Sequence, residues 1–164
     1  MTALPYLAGY PNEIHDRALE LLQSGELKPH LDARYPNRHS VRSSKDLKRY
    51  VMELKQRTMR TAPPLGAVLF DARLHAIHGA LGLNTTTTLA HGGKLRKRRE
   101  VRIASLFKET PPEFLRMVVV HELAHMKHAD HDRQFYKLCR SLEPDYDQLE
   151  LDLRLYLTAE EWRG

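Results

Sequence analysis

At 164 residues and 19.0 kDa, with 41% hydrophobic and 29% charged residues, the chain is long enough to bury one core and too mixed in composition for a disordered or fibrous protein. Its net charge of +5 leaves anionic partners open, whereas the lack of any apolar run near the roughly 18 residues a bilayer needs argues against a membrane span. The opening MTALPYLAGYPNEIHD has neither the basic start nor the apolar stretch of an export signal, and a single cysteine, Cys139, rules out an internal disulfide, so a reducing cytoplasm is expected.

In chain order, residues 12 to 24, closed by Gly25, and residues 44 to 60, with Ser44 as cap and Leu47, Tyr50, Val51 and Leu54 at helical spacing, predict two amphipathic helices. Between them Lys28-Pro29 to His39 predicts a loop, with Pro36 and Asn37 as turn residues. Leu65 to Leu83 holds two strand-like runs, LGAVLF and LHAIHGALGL, and Arg99 to Phe107 alternates around Val101, Ile103 and Ser105. Thr110-Pro111-Pro112-Glu113 then predicts a capping box with proline at the first helical position, opening a helix through Phe114, Leu115 and Met117 to Val120. After Asp130, taken as a new cap, Phe135, Leu138, Cys139 and Leu142 share one helix face before Pro144 ends it, with Cys139 a small core residue. In the tail, leucines at every second position from Leu149 to Leu157 predict a half-buried strand. Helices flanking a small mixed or antiparallel sheet make the expected fold α+β. The expected layout is one domain with a helical part at 1–62, a core at 63–142 and a strand-like tail at 145–164.

The chemistry lies in His121-Glu122-Leu123-Ala124-His125, an H-E-x-x-H pattern followed six residues later by His131. Four residues apart on a helix, the imidazoles of His121 and His125 can converge on one metal, and Glu122 stands beside it, able to exchange a proton with a metal-activated water. Two histidines and a glutamate at the end of a core helix are costly to desolvate unless something satisfies them, as a metal would. In a continuing helix His128 would lie about 10 Å along the axis from His121, a poor third ligand, and His131 can ligate only if the chain breaks after His128. Zinc is the ion expected for imidazole ligands, one per chain. Asp130 and Asp132 suit either orienting a ligand ring or capping a helix.

The run HELAHMKHADHDRQFY resembles the signature of the SprT-like and WLM-type metallopeptidases, in particular the small YgjP-like members of the zincin superfamily. The resemblance takes in the segment from about residue 99 and, more loosely, from about residue 65. It implies a zincin-like fold with the motif helix at its core, His121, His125 and His131 as zinc ligands, Glu122 as catalytic acid/base and Phe135 packed behind the site. It further implies that the strand Val101 to Leu106 borders the cleft and pairs with extended substrate. Metzincins fit less well, since they carry a glycine where this chain has His128 and a methionine turn that is missing here. Gluzincins would need Glu143 or Glu150 as third ligand, neither of which stands in the usual sequence setting.

Three functions follow. The first is a zinc-dependent metallopeptidase acting on a peptide or protein substrate. The second is a nucleoside triphosphate pyrophosphohydrolase, because an activated water is indifferent to its electrophile until the pocket selects one. Its phosphates would lie on the basic run Lys94, Arg96, Lys97, Arg98, Arg99 and Arg102, which could equally be a solvated strand edge. The third is a DNA- or RNA-associated protein with structural zinc. The three-histidine set disfavours it, since a structural site would close the fourth position with a protein ligand. No mechanism attaches to His75, His78 or Thr85 to Thr88, and His91-Gly92-Gly93-Lys94 lacks the spacing of a phosphate-binding loop.

Overall fold

The computed structural model describes residues 4–74, 82–91 and 94–164, of which 82–91 and 94–99 are described by backbone alone. The expected strand run LHAIHGALGL falls mostly on residues 75–81, outside the described residues, as do His75, His78, Gly92 and Gly93. The architecture is α+β with a mixed sheet.

A short 3-10 turn at Pro5–Leu7 leads to α1 (Asn12–Gln23), which ends at Gly25, where a φ of 75° requires the left-handed conformation glycine adopts without a Cβ penalty. The expected loop after it is in part a helix, α2 (Leu27–Arg34). Pro29 occupies its first turn, where a missing N–H costs nothing, and the buried Leu27 and Leu31 fix it against the C-terminal helix. Next comes α3 (Ser44–Thr58), whose cap is Ser43 rather than Ser44: the Ser43 hydroxyl accepts from the Asp46 amide at 3.0 Å. Ser44 instead accepts from the Phe70 amide at 3.1 Å and so ties α3 to the sheet.

Among the described residues the sheet has three strands, β1 (Leu65–Asp71), β2 (Gly82–His91) and β3 (Lys94–Ala104), in the order β1-β3-β2. β1 runs parallel to β3, with Val68 opposite Val101. β2 runs antiparallel to β3, from Gly82 opposite Ile103 to His91 opposite Lys94. The strand expected to border the cleft from Val101 to Leu106 is therefore the central one, hydrogen-bonded on both sides, and it ends at Ala104 before a 3-10 turn at Ser105–Lys108. β2 is the edge strand that packs on the motif helix.

That helix, α4 (Pro112–Ala124), is the centre of the core. Phe114, Met117, Val118, Val119, Val120 and Leu123 are fully buried, each contributing about 1.5–3 kcal/mol on removal from water. Proline does stand at its first position, but the capping box does not form: the Thr110 hydroxyl donates towards the carbonyls of Phe107 and Pro111. The chain breaks after α4 and resumes as α5 (Arg133–Leu142). Its cap is Asp132, not Asp130, the Asp132 carboxylate accepting from the Phe135 amide at 2.9 Å. Phe135 and Cys139 face the core.

The tail is a helix, α6 (Tyr146–Glu161), not a strand. Its alternating leucines contain a second periodicity: Tyr146, Leu149, Leu153 and Leu157, spaced three, four and four apart, form the buried stripe. Leucine and glutamate favour helix intrinsically, and contacts with α2, α4, α5 and the N-terminal turn accommodate Leu151 and Leu155 at the margins. The buried Asp152 accepts hydrogen bonds from Tyr35 at 2.5 Å, Arg34 at 3.0 Å and Gln148 at 2.9 Å, joining α2 to α6. One hydrophobic cluster runs from Leu4 to Leu157. Among the described residues no helix is long and apolar enough to cross a membrane.

Candidate metal centre

His121 lies in the last turn of α4, His125 caps it, and His131 stands in the turn that leads to α5. The break after α4 is what allows all three to meet. Their Nε2 atoms form a triangle with sides of 3.3 Å (His121 to His125), 2.9 Å (His125 to His131) and 3.2 Å (His131 to His121). A tetrahedral ion with bonds of about 2.0–2.1 Å to nitrogen requires ligands about 3.3 Å apart, so the triangle has close to the dimensions of three corners of such a site. Among the described residues this is the cluster of histidine and acidic side chains able to hold a metal ion.

The ring nitrogens facing away from the triangle are engaged as well. His125 Nδ1 lies 3.0 Å from the carbonyl of His128, which can only accept, so Nδ1 carries the hydrogen and the neutral ring leaves an Nε2 lone pair aimed into the triangle. His121 Nδ1 lies 2.8 Å from the hydroxyl of Tyr146, at the start of α6. Phe135, fully buried, lies against all three rings, with centroid separations of 5.0 Å to His121, 4.5 Å to His125 and 5.0 Å to His131. Burial pushes the His121 imidazole down to about 3, with the neighbouring His125 and His131 acting in the same direction, so the ring is neutral and its nitrogen available. The adjoining Glu122 is 1% exposed, and desolvation pushes its carboxyl up to about 8.

The remaining candidates lie apart from the triangle. His128 contributes its backbone carbonyl, not its ring. Glu143 pairs with Arg116 at 3.1 Å, and Glu150 with Arg154 at 2.8 Å. Asp130 is exposed, and Asp132 is the helix cap. Lys94 to Arg99 lie on β3, their side chains outside the described residues, whereas the guanidinium of Arg102 is held by Asp71 at 2.8 Å and Glu100 at 3.0 Å. Tyr146 was not anticipated from the sequence. Its signal was the three-four-four spacing of Tyr146, Leu149, Leu153 and Leu157, which places a tyrosine on the inward stripe of a helix.

Comparison with known proteins agrees with this geometry. The model of the YgjP-like metallopeptidase domain matches residues 82–156, a span that includes β2, β3, the histidine triangle and Tyr146. The chain is also similar to the UTP pyrophosphatase of Escherichia coli (strain K12), 43% identical over 158 residues, which is 96% of this chain and 95% of that protein. No solved structure matches the chain significantly. With a relative aligned over nearly the whole of both chains and a family model laid across the histidine motif, the chain belongs to the YgjP-like metallopeptidase family and is a metal-dependent hydrolase.

Proposed function

We propose that this protein is a nucleoside triphosphate pyrophosphohydrolase that holds a single zinc ion on His121, His125 and His131. The observation that carries the choice of bond is the 43% identity, over 96% of the chain, to a protein named as a UTP pyrophosphatase. The histidine triangle fits the ion by size and by donor chemistry. When bound, the ion supplies a Lewis acid that acidifies water and takes up negative charge developing on the electrophile.

Glu122 does the proton work. Its buried position raises its proton affinity, and a neighbouring cation lowers it again, a balance that suits a group accepting a proton from the attacking water and returning it to the leaving group. The water oxygen bonds to the α-phosphorus, the bridging phosphoanhydride bond breaks, and pyrophosphate leaves with the proton that Glu122 carried. His125 and His131 keep their positions through the His128 carbonyl and the Phe135 ring. The basic residues Lys94, Arg96, Lys97, Arg98 and Arg99 supply the positive charge that attracts a polyphosphate. Arg102, committed to two carboxylates, serves the sheet instead.

A second reading, a zinc-dependent peptidase, is favoured by one structural observation: β2 is an edge strand packed on α4, and such an edge can add an extended peptide by main-chain hydrogen bonds. Zinc-loaded wild type and Glu122→Gln are assayed on UTP, with release of UMP and pyrophosphate as readout, and on casein. UTP cleavage that falls by about 10²–10⁴-fold in Glu122→Gln while zinc content is retained is the expected result. Casein cleavage without nucleotide cleavage would replace the proposal with the peptidase, and loss of neither activity in Glu122→Gln would remove Glu122 from the chemistry.

A further inference from the structure

The Tyr146 hydroxyl touches a histidine of the metal centre from a helix outside the motif. It is 1% exposed, it approaches His121 Nδ1 at 2.8 Å, and the planes of the two rings lie within 13° of parallel. The bond therefore joins α6 to α4 at the centre itself.

The direction of this bond matters. An imidazole that binds an ion through Nε2 must carry its hydrogen on Nδ1. That hydrogen needs an acceptor, and the hydroxyl oxygen of Tyr146 is placed to receive it. With the opposite polarity, Tyr146 would donate to Nδ1, and the hydrogen on Nε2 would point into the triangle at nitrogens 3.2 and 3.3 Å away. An ion could not then enter.

We infer that Tyr146 is a positioning residue of the metal centre: its hydroxyl accepts the Nδ1 hydrogen of His121, fixing the His121 ring with Nε2 free for the ion. The inference rests on the assignment of the triangle as a cation site and deepens it. The role was hidden in the sequence because Tyr146 stands 25 positions after His121, beyond the motif.

The test is zinc affinity, measured on the full chain by competition with a chromophoric chelator, alongside thermal unfolding of the ion-free protein. Tyr146→Phe keeps the ring and removes the acceptor. A loss of zinc affinity of about 10–100-fold is expected, with the ion-free melting temperature close to that of wild type. In the zinc-loaded wild type a slowly exchanging His121 Nδ1 proton is expected by NMR, with cross-relaxation to the Tyr146 ring, and this signal is lost or strongly shifted in Tyr146→Phe.

Should Tyr146→Phe fail to fold, the zinc-loaded wild type carries the test: a His121 Nδ1 proton that exchanges rapidly and shows no cross-relaxation to the Tyr146 ring would overturn the role of Tyr146. Tyr146→Phe with zinc affinity within twofold of wild type would overturn the role of Tyr146 while leaving the metal centre intact. Wild type that takes up no zinc would overturn the cation site and this inference with it.

Discussion

Replacing His131 by alanine separates the histidine triangle as a structural cluster from the triangle as a cation site. His131 is exposed in the turn between α4 and α5, its Nε2 2.9 Å from that of His125. A surface substitution of this kind changes the stability of the ion-free protein by about 0.5 kcal/mol or less. With zinc present the balance is different. At a free ion concentration 1,000 times the dissociation constant, binding stabilises the folded state by about 4.1 kcal/mol. Outer partners of a ligand alone are worth about 10–100-fold in affinity, so loss of a ligand itself is set at about 100-fold. The same zinc concentration is then about ten times the weakened constant, and the stabilisation falls to RT ln 11, about 1.4 kcal/mol. The variant thus loses about 2.7 kcal/mol of zinc-dependent stability, which for a chain of this size is about 5–11 °C in melting temperature. Thermal unfolding of wild type and His131→Ala, each with zinc and with excess chelator, reads the difference directly. Equal zinc-induced shifts in both proteins would refute the third ligand, and an equally large gap in chelator would show that His131 acts through packing.

Two further outcomes follow from charges outside the triangle. Asp152→Ala leaves the buried Tyr35 hydroxyl without its acceptor and detaches Arg34 and Gln148, so urea unfolding is expected to show a loss of about 2–3 kcal/mol, with Asp152→Asn losing less; wild-type stability in the alanine variant would mean that α2 is held by Leu27 and Leu31 alone. Asp71 is held well below the usual carboxylate range, first by Arg73 and then by Arg102. Since its folded value is the lower one, its contribution is present above about pH 4 and is lost as the pH falls below that, so an acid titration of unfolding should be flatter below pH 4 in Asp71→Asn than in wild type, and parallel curves would remove Asp71 from the acid transition.

What could be read from the sequence divides along the distance over which each feature is determined. The start of α4 at a proline, the break after it and the return of the chain on an aspartate are local. They were legible, with the cap displaced by two residues to Asp132 because Asp130 and Asp132 are equally good caps until the fold selects one. The face of α5 that presents Phe135 to the three rings was legible for the same reason. The tail was not, because its leucines satisfy two periods at once, and only the neighbours of α6 decide which applies. β3 read correctly as a strand but wrongly as an edge, since strand order is set by pairing partners and not by alternation.

The same division runs through the site. The residues that could hold an ion lie within eleven positions of one another, so a local pattern announces them. The groups that set the hydrogens on those residues do not: the His128 carbonyl follows from the turn, and the Tyr146 hydroxyl arrives from a helix whose nature the sequence disguised. A histidine pattern therefore specifies which atoms can bind an ion, whereas the rest of the fold specifies in which tautomer they stand ready. Choice of substrate lies one layer further out, in the walls around the triangle. This is why the same motif reads equally as a peptidase and as a pyrophosphohydrolase, and why a relative aligned along the whole chain, walls included, bears on that choice more than the motif does.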